Sequence, residues 1–370
     1  MEKLSVLVKT DDSGLDRAVE TLNAGGVVVV PTDTVYGLAA RPDIPSAVER
    51  LYAIKRRDAA KPIALLAADA EGAAAFLGGL SPTARAAAEA NWPGALTLVL
   101  PVAGTDRYEG LRVPDHDWTR RLIARCGGVL RVTSANLSGR RPATDAPSAL
   151  AEIGLSADLV ADDGVSPGGT ASTVAKISAD GLEILREGPV RFLTLASGSP
   201  RRAKILRDHA VPFTVLKTDA PEVAYPHDPE RTVRENALAK GAAARRERVL
   251  SADTIVWFDG RIYGKPRDLD EAKVFLRELS GRIHTVFTGV AYDGEVKVVR
   301  SDVKFRELSE AAIDAYVARV RPTDRAGAYD IDESGDLIVE GYSGSYENIM
   351  GLPVEPLKEW GIVREEGERM

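Results

Sequence analysis

Residues 185–202 read LREGPVRFLTLASGSPRR, and this stretch divides the chain into two domains. Gly188-Pro189 ends one strand-like run, because proline cannot continue a strand ladder, and a new apolar run begins at Phe192. The new run leads into Ser199-Pro200, a natural N-cap followed by a natural first helical residue. The sequence therefore predicts one domain over residues 1–190 and another over 191–370, the second opening with a strand, a short loop and a helix.

The composition agrees with two globular domains. A chain of 370 residues is too long for one ordinary hydrophobic core, and 44% hydrophobic with 28% charged residues is typical of folded proteins. The net charge is −7, and both halves are slightly acidic, whereas a protein that grips duplex DNA by its backbone needs a basic excess. We therefore expect no duplex DNA binding, whereas binding of a small anionic substrate needs only a local basic pocket and is compatible with this charge.

The cysteine content and the first residues indicate the compartment. Cys126 is the only cysteine, so an internal disulfide is excluded, and the four histidines lack the spacing of a zinc site. The opening MEKLSVLVKTDD has no apolar signal segment, and no run approaches the roughly 20 residues of a membrane span. We expect a cytoplasmic protein that does not enter a membrane.

Strand-like apolar runs alternate with alanine-rich helical stretches, which predicts α/β domains with mixed sheets. Predicted strands cover residues 25–30, 129–132, 286–292 and 296–299, and the last two flank the hairpin turn Asp293-Gly294. Another turn is expected at Asp259-Gly260. Predicted helices cover residues 70–76, 83–90 and 270–281, the last with Ala272, Phe275, Leu276 and Leu279 on one face and Gly281 as its C-cap.

Four polar clusters interrupt the apolar structure of the first half. PTDTVYG (31–37) and TSANLSG (133–139) each follow a predicted strand, where α/β sheets bind ligands. IKRRDAAKP (54–62) places several cations close together, and Ser172-Thr173 with Arg186 forms the fourth cluster. Taken singly, each also fits ordinary structure: a capped turn, a plain turn, or a solvated face on which Arg57 and Lys61 would be helical i,i+4 neighbours.

Together these clusters resemble the YrdC-type threonylcarbamoyl-AMP synthase family over roughly residues 10–190. WPGALTLVL (92–100), RVPDHDW (112–118), ASTVAKI (171–177) and ILREG (184–188) extend the resemblance. It implies a twisted-sheet domain that makes threonylcarbamoyl-AMP from ATP, L-threonine and bicarbonate, releases pyrophosphate, and supplies a tRNA-modification transferase complex. This displacement needs orientation and charge neutralisation rather than a protein nucleophile.

The same resemblance assigns substrate-binding residues. Those that match the family's K-x-R and S-x-N elements are Lys55, Arg57, Ser134 and Asn136. Those implied to meet the ATP phosphates or the threonine carboxylate are Lys61, Arg112 and Arg186, and those implied to contact threonine are Thr34 and Ser172. Asp58 stands where the family usually has proline, and we expect little effect from this difference.

Phosphate-binding features recur in the second half. The predicted helix that begins after Ser199 has free N–H groups that favour a phosphate, and Arg201-Arg202 add positive charge; an ordinary capped helix with two surface arginines is the alternative. In LSADTIV, Asp253 is expected at the end of a strand, where a carboxylate can hold Mg²⁺ and orient water. By themselves, Glu222 and Lys240 are typical of surface residues.

This half resembles the Maf family of nucleoside triphosphate pyrophosphatases over about residues 193–362. The stretches that carry the resemblance are LASGSPRR (195–202), SADTIV (251–256), GKPRDLDEA (264–272), LSGRIHTVFTGV (279–290), DRAGAYDI (324–331) and GSYENIMGLPVEPL (344–357). It implies hydrolysis of non-standard or pyrimidine nucleoside triphosphates to monophosphate and pyrophosphate, with a divalent metal (Mg²⁺ or Mn²⁺) and in a homodimer.

The Maf resemblance makes Asp253 the general base or a metal-binding carboxylate, with Glu222 as its acidic partner and second metal-binding group. Residues implied to contact the triphosphate are Lys240, Lys265 and Arg202, with Ser199 at the phosphate-binding helix start. Arg201 and Thr254 match residues that mark the dTTP- and UTP-hydrolysing branch. That branch has glutamine where this chain has Asp332, so the preferred base stays open.

The favoured interpretation is a bifunctional enzyme with one active site in each half. The alternative is a working Maf pyrophosphatase attached to a non-catalytic RNA-binding or regulatory YrdC-like module. A third interpretation, a non-catalytic regulator of cell division, would leave Asp253 and Lys265 without a role.

Overall fold

Two separate β-sheets organise the part of the chain that the structure describes, residues 6–58, 60–153, 156–178 and 181–364. In this computed structural model the chain divides into an N-terminal unit that ends at Arg191 and a C-terminal unit that begins at Phe192. Both units are mixed α/β structures, as the alternation of strand-like and helical stretches predicts.

The N-terminal unit is built on a ten-stranded sheet. Its strands are β1 (Val6–Lys9), β2 (Val28–Val30), β3 (Gly37–Ala40), β4 (Leu65–Ala67), β5 (Leu96–Pro101), β6 (Tyr108–Arg112), β7 (Val129–Ser134), β8 (Leu159–Asp162), β9 (Thr173–Ser178) and β10 (Gly181–Arg186). Its helices are α1 (Asp12–Asn23), α2 (Pro45–Lys55), α3 (Ala70–Leu77), α4 (Pro82–Asn91), α5 (Asp117–Arg125) and α6 (Ala146–Ile153). The strand order is β1-β8-β2-β3-β7-β4-β6-β5-β9-β10.

The valine run that ends before Pro31 is buried on both faces of this sheet. Val28 and Val30 pack in a cluster with residues of α1 and α5, while Val29 packs in a cluster with residues of α2 and α6. Because helices cover both faces, the strand is apolar throughout rather than alternating. The sheet thereby fixes the polar segment that follows β2, where the first candidate site lies.

The C-terminal unit is built on a seven-stranded sheet. Its strands are β11 (Leu193–Leu195), β12 (Phe213–Val215), β13 (Val249–Phe258), β14 (Arg261–Tyr263), β15 (Ile283–Tyr292), β16 (Glu295–Phe305) and β17 (Val339–Ser343). Its helices are α7 (Pro200–Asp208), α8 (Pro229–Ala243), α9 (Leu269–Leu279), α10 (Glu310–Val320), α11 (Tyr346–Met350) and α12 (Val354–Glu359). The strand order is β12-β11-β13-β15-β16-β17, with β14 paired to β13.

Several local predictions are confirmed. Strands β15 and β16 form the predicted hairpin, although β16 extends well beyond residue 299, and both residues of its Asp293-Gly294 turn have positive φ, of 45° and 92°. Ser199 and Pro200 are the N-cap and first residue of α7. The four apolar residues predicted on one face of α9 are all buried, but the helix ends at Leu279 with Ser280 as its C-cap, and Gly281 is the next residue, with a φ of 67°.

Three predictions are wrong in detail. Asp253 lies in the middle of β13 rather than at a strand end, because the ladder with β15 continues as far as Trp257. Helix α2 ends at Lys55, since Arg56 has left-handed backbone with a φ of 49°, so Arg57 and Lys61 are not helical neighbours. Of the strand predicted over residues 25–30, only β2 forms.

No helix among the described residues is both long and apolar enough to cross a membrane.

Candidate active sites

A threonine-rich turn follows β2 in the N-terminal unit. The Thr32 hydroxyl donates to the carbonyl of Val35 (2.7 Å) and accepts from the backbone N–H groups of Thr34 and Val35 (3.2 and 3.3 Å). This side-chain turn fixes the buried Thr34 hydroxyl, which lies 3.0 Å from that of Thr32. The structure therefore holds Thr34 rigidly at the end of a core strand.

Arg112, the last residue of β6, binds this turn from a buried position. Its Nη1 donates to the Thr34 hydroxyl (2.7 Å) and its Nε to the carbonyl of Gly94 (2.8 Å), while its Nη2 pairs with Asp33. Burial lowers the pKa of Arg112, and the charge of Asp33 offsets part of this effect. Asp33, which also accepts from the backbone N–H of Asp115 (3.0 Å), thus keeps this arginine charged and in place.

A second hydroxyl–arginine pair joins Ser172 to Arg186. The Arg186 guanidinium donates to the Ser172 carbonyl (2.8 and 3.0 Å) and to its hydroxyl (3.1 Å), and the hydroxyl also lies 2.8 Å from that of Thr97. Burial lowers the pKa of Arg186, and the nearby charge of Arg57 adds to this effect. Two predicted threonine-contacting hydroxyls, Thr34 and Ser172, are therefore each bound to a predicted anion-binding arginine.

Lys55, the last residue of α2, is buried and connects this helix to Ser134 and Asn136. Its side chain is 2% exposed, and its ammonium donates to the carbonyls of Ser134 and Asn136 and to the Asn136 side-chain oxygen. Burial, with a smaller contribution from Arg57, lowers the pKa of Lys55 to about 8. The structure thus brings Lys55, Ser134 and Asn136 together, and the hydrogen bonds of the ammonium hold the end of β7 and the start of the loop after it.

The other two cations of this cluster to which the resemblance assigns a binding role, Arg57 and Lys61, differ from each other. The Arg57 guanidinium donates to the backbone carbonyls of Lys61 and Pro62 (3.0 Å each), and these hydrogen bonds hold the two ends of this short segment together. Lys61 is exposed, and no described residue forms an ion pair with its ammonium. Of these cations, Lys61 is the one left available to meet a ligand phosphate.

In the C-terminal unit, Arg202 connects three segments around the loop after β11. Its guanidinium donates to the Ser197 hydroxyl (3.0 Å), the Thr254 hydroxyl (3.0 Å) and the Gly351 carbonyl (2.8 Å). Burial lowers the pKa of Arg202 to about 10, although the charge of Asp253 opposes the change, so the side chain stays charged at neutral pH. The hydroxyl of Ser199 makes no N-cap hydrogen bond.

Asp253, Lys240 and Glu222 form the acidic centre of this unit. The Lys240 ammonium contacts Asp253 Oδ1 and also lies 2.8 Å from Glu222 Oε1, while Asp253 Oδ2 accepts from the Asn236 amide (3.0 Å). Successive strand residues point to opposite faces, so Asp253 faces helix α8 while Thr254 meets Arg202 and Thr288.

This centre offers suitable donors for a divalent cation. Asp253 and Glu222 both pair with Lys240, and Mg²⁺ or Mn²⁺ is commonly held by one or two carboxylates together with substrate phosphates. The described residues contain no group of three or more metal-ligating side chains. The donor set therefore fits a metal that binds together with the nucleotide.

The other predicted residues lie apart from this centre. Lys265 is exposed between β14 and α9, and Arg201 lies 3.4 Å from Asp330, a buried carboxylate that also binds Arg325. Asp332 accepts from the Tyr346 hydroxyl (3.1 Å) and lies 3.7 Å from the Lys204 ammonium. No contact between described residues joins Lys265 or Asp332 to Asp253.

Some of the residues in contact with the predicted site residues were not themselves predicted. Among them are Thr32, Asp33, Thr97 and Asn236. Thr32 and Asp33 belong to the PTDTVYG cluster, so their position next to Thr34 in the sequence could have indicated their contacts. Thr97 in a strand and Asn236 in a helix have no such signal, because polar residues at those positions usually face solvent.

Known proteins resemble each half. Residues 192–360 match the family model described as "Maf-like protein", and residues 20–188 match the Sua5/YciO/YrdC model, described as "Telomere recombination". A dTTP/UTP pyrophosphatase of Bacillus cereus (strain B4264) is 42% identical over 178 residues, 45% of this chain and 93% of that protein; one of Bacillus anthracis matches equally.

Solved structures resemble the chain more distantly. P. abyssi Sua5 complexed with L-threonine is 24% identical with a TM-score of 0.48, covering 60% of this chain and 65% of that one. E. coli YciO is 23% identical with a TM-score of 0.46, covering 51% of this chain and 96% of that one.

We expect the Arg112–Asp33 pair to be important for stability. Its side chains are 7% and 14% exposed, and removing one partner of a buried pair leaves an uncompensated charge, so Asp33→Asn should cost about 3 kcal/mol of unfolding free energy. Asp43→Asn is the matched control, because the Arg41–Asp43 pair is far more exposed and should contribute less than about 1 kcal/mol. Urea unfolding of both variants measures the difference, and equal losses would contradict the assigned role.

Proposed function

Through residues 192–360 the chain belongs to the Maf family, and through residues 20–188 it carries a Sua5/YciO/YrdC domain; on this premise we propose that it is a bifunctional nucleotide enzyme. The N-terminal unit would form threonylcarbamoyl-AMP from ATP, L-threonine and bicarbonate. The C-terminal unit would hydrolyse nucleoside triphosphates to monophosphate and pyrophosphate.

The buried pairing of Thr34 with Arg112 and of Ser172 with Arg186 carries the first assignment. An amino acid with a hydroxyl and a carboxylate needs both hydrogen-bonding hydroxyls and fixed positive charge, and these two pairs supply both. The exposed ammonium of Lys61 would contact the triphosphate. The arrangement binds and orients charged reactants, as this chemistry requires.

The reaction itself needs no nucleophile from the protein. The threonine amine and bicarbonate form a carbamate with loss of water, and a carbamate oxygen attacks the α-phosphorus of ATP. The bond to the β-phosphate oxygen breaks, and pyrophosphate leaves. The fixed cations would offset the charge that develops on the leaving pyrophosphate. The product would pass to a transferase complex that modifies tRNA.

In the C-terminal unit, the convergence of Asp253 and Glu222 on Lys240 carries the assignment. Asp253 is buried, held through both carboxylate oxygens, and suited to accept a proton from the attacking water. A bound Mg²⁺ or Mn²⁺ would neutralise phosphate charge, and Asp253 with Glu222 would hold it. Lys240, Lys265, Arg202 and the start of α7 would bind the triphosphate.

Two further proposals follow from the family and the composition. We propose that the C-terminal unit forms a homodimer, as the resemblance to Maf proteins implies. The single cysteine, Cys126, continues to favour a reducing, cytoplasmic compartment.

Pyrophosphate release from ATP should require both threonine and bicarbonate. Removing the exposed cation in Lys61→Ala should lower this activity about 10²-fold, the scale of a lost charge-stabilising donor. Arg85→Ala, which changes an exposed arginine of α4, is the control and should be unaffected. Product analysis with each substrate omitted in turn measures the dependence, and threonine-independent cleavage that survives Lys61→Ala would contradict the assignment.

Triphosphate hydrolysis should require both Asp253 and a divalent metal. Asp253→Asn keeps the shape but removes the charge that accepts a proton or holds the metal, so the rate should fall about 10²–10⁴-fold. Asp259→Asn, at the exposed turn after the same strand, should remain active. Chelation should abolish activity and added Mg²⁺ or Mn²⁺ restore it. Near-full activity of Asp253→Asn, or orthophosphate as the first product, would exclude this mechanism.

Base preference should depend on Asp332. Burial and the charge of Asp332 raise the pKa of Tyr346 to about 12, so its hydroxyl keeps its proton and donates it to Asp332. The carboxylate can still accept from an exocyclic amine such as that of cytosine, but it repels the carbonyl oxygens of uracil and thymine. The alternative is that Asp332, 43% exposed, faces solvent and other groups select the base.

If Asp332 contacts the base, CTP should be a comparatively good substrate. Asp332→Gln should then shift selectivity toward UTP and dTTP by about 1–3 kcal/mol, because an amide both donates and accepts. The kcat/KM values for CTP, UTP and dTTP measure the shift, with Asp336→Gln, an exposed change four residues away, as the control. An unchanged ratio would mean that Asp332 does not contact the base.

A further inference from the structure

Asn236 is a buried amide of α8 that uses both its donors and its acceptor. The side chain is 3% exposed, its Nδ2 donates to the Val223 carbonyl (3.0 Å) and to Asp253 Oδ2 (3.0 Å), and its Oδ1 accepts from the Val223 N–H (2.8 Å). A flipped amide would place Oδ1 against two acceptor oxygens, so these contacts fix its orientation. The amide thus connects the Val223 backbone to the central carboxylate.

Two side chains of α8, those of Asn236 and Lys240, hold the Asp253 carboxylate. Asn236 and Lys240 are four residues apart and share one helix face. Asn236 donates to Oδ2 of Asp253, and Lys240 contacts Oδ1, so each carboxylate oxygen has its own partner. Rotation of the carboxyl group would break at least one of these contacts.

The contacts with Val223 fix the other acidic residue. Glu222 precedes Val223 in a segment without regular structure between β12 and α8, and its side chain is 58% exposed. The two hydrogen bonds between the Asn236 amide and the Val223 backbone hold this segment against α8, and Glu222 Oε1 lies 2.8 Å from the Lys240 ammonium. One side chain therefore positions both carboxylates that the proposed metal would share.

We propose that Asn236 is a positioning residue for triphosphate hydrolysis, an inference that rests on the function proposed for the C-terminal unit. Asn236 holds the proton-accepting carboxylate of Asp253 and the segment of Glu222 in one fixed relation, and Val223 and Asp253 already occupy its amide oxygen and both its N–H donors. Its loss should impair the chemical step while leaving nucleotide affinity largely unchanged.

The test compares Asn236→Asp with Thr232→Val in the full chain. Asn236→Asp keeps the shape but loses both N–H donors and adds a negative charge beside Asp253. Thr232, also buried on α8, accepts from the Tyr225 N–H (2.8 Å), so Thr232→Val loosens the same segment with no contact to Asp253. Asn236→Ala, which adds no charge, repeats the test if the aspartate variant does not fold. The readouts are kcat, KM, Tm, and the Kd of a non-hydrolysable α,β-methylene triphosphate.

We expect kcat of the Asn236 variants to fall about 10–100-fold, with KM and the Kd of the analogue nearly unchanged. Thr232→Val should lower Tm but retain most of the wild-type kcat. A kcat loss no larger than that of Thr232→Val at a similar Tm would overturn the positioning role and leave the proposed hydrolysis intact. A wild-type protein that hydrolyses no nucleoside triphosphate would overturn both.

Discussion

The close contact between helix α8 and strand β15 is the constraint on which the C-terminal site depends. The Val233 carbonyl lies 2.3 Å from where a Cβ of Gly289 would be, so only glycine allows the helix backbone this near to the strand. Gly289 is also the residue paired with Asp253 across the ladder of β13 and β15. Because Gly289 has no side chain, α8 packs close to the sheet at this position, and Asn236 and Lys240 on that helix contact Asp253. A larger residue at 289 would move α8, with Asn236 and Lys240, away from Asp253, the carboxylate proposed to accept the proton.

In the N-terminal unit the corresponding constraint is electrostatic. The charge of Arg57 adds to the lowering of the pKa values of Lys55 and Arg186, and the charge of Arg186 adds to that of Arg112, so these cations lie close together; Asp33 is the carboxylate that pairs with Arg112. Backbone carbonyls solvate Lys55 and Arg57, which allows the cations to be crowded without matching acids. The resulting excess of positive charge favours an anionic ligand. The buried hydroxyls of Thr34 and Ser172 are each held by one of these arginines, which agrees with the binding role proposed for them.

Much of the fold could be predicted because its signals are local: the β15–β16 hairpin turn, the cap of α7 and the apolar face of α9 each depend on a few neighbouring residues. The predictions that are wrong depend on distant partners. Asp253 interrupts an apolar run, which suggests a strand end, but pairing with β15 carries the strand past it. The binding role implied for Lys55 stays a prediction, and only the fold shows that oxygens of Ser134 and Asn136 already surround its ammonium. Asn236 gave no signal, since its two partners are 13 and 17 residues away in the chain.

The two sites also differ in how readily their charges can exchange partners. Lys240 is bound to side-chain carboxylates, one of them on the exposed Glu222, and a metal nucleotide brings both a cation for the carboxylates and phosphates for the lysine. Substrate binding there can replace one set of ion pairs with another at little electrostatic cost. Lys55 has no carboxylate partner to exchange among the described residues: its ammonium donates to oxygens of Ser134 and Asn136, among them the Asn136 carbonyl, which would lose this hydrogen bond if the ammonium moved. A lysine is freer to bind substrate where a bound ligand can compensate its resting partners, and by this criterion we propose Lys61 in the N-terminal unit, and Lys240 together with Lys265 in the C-terminal unit, as the lysines that would bind phosphate.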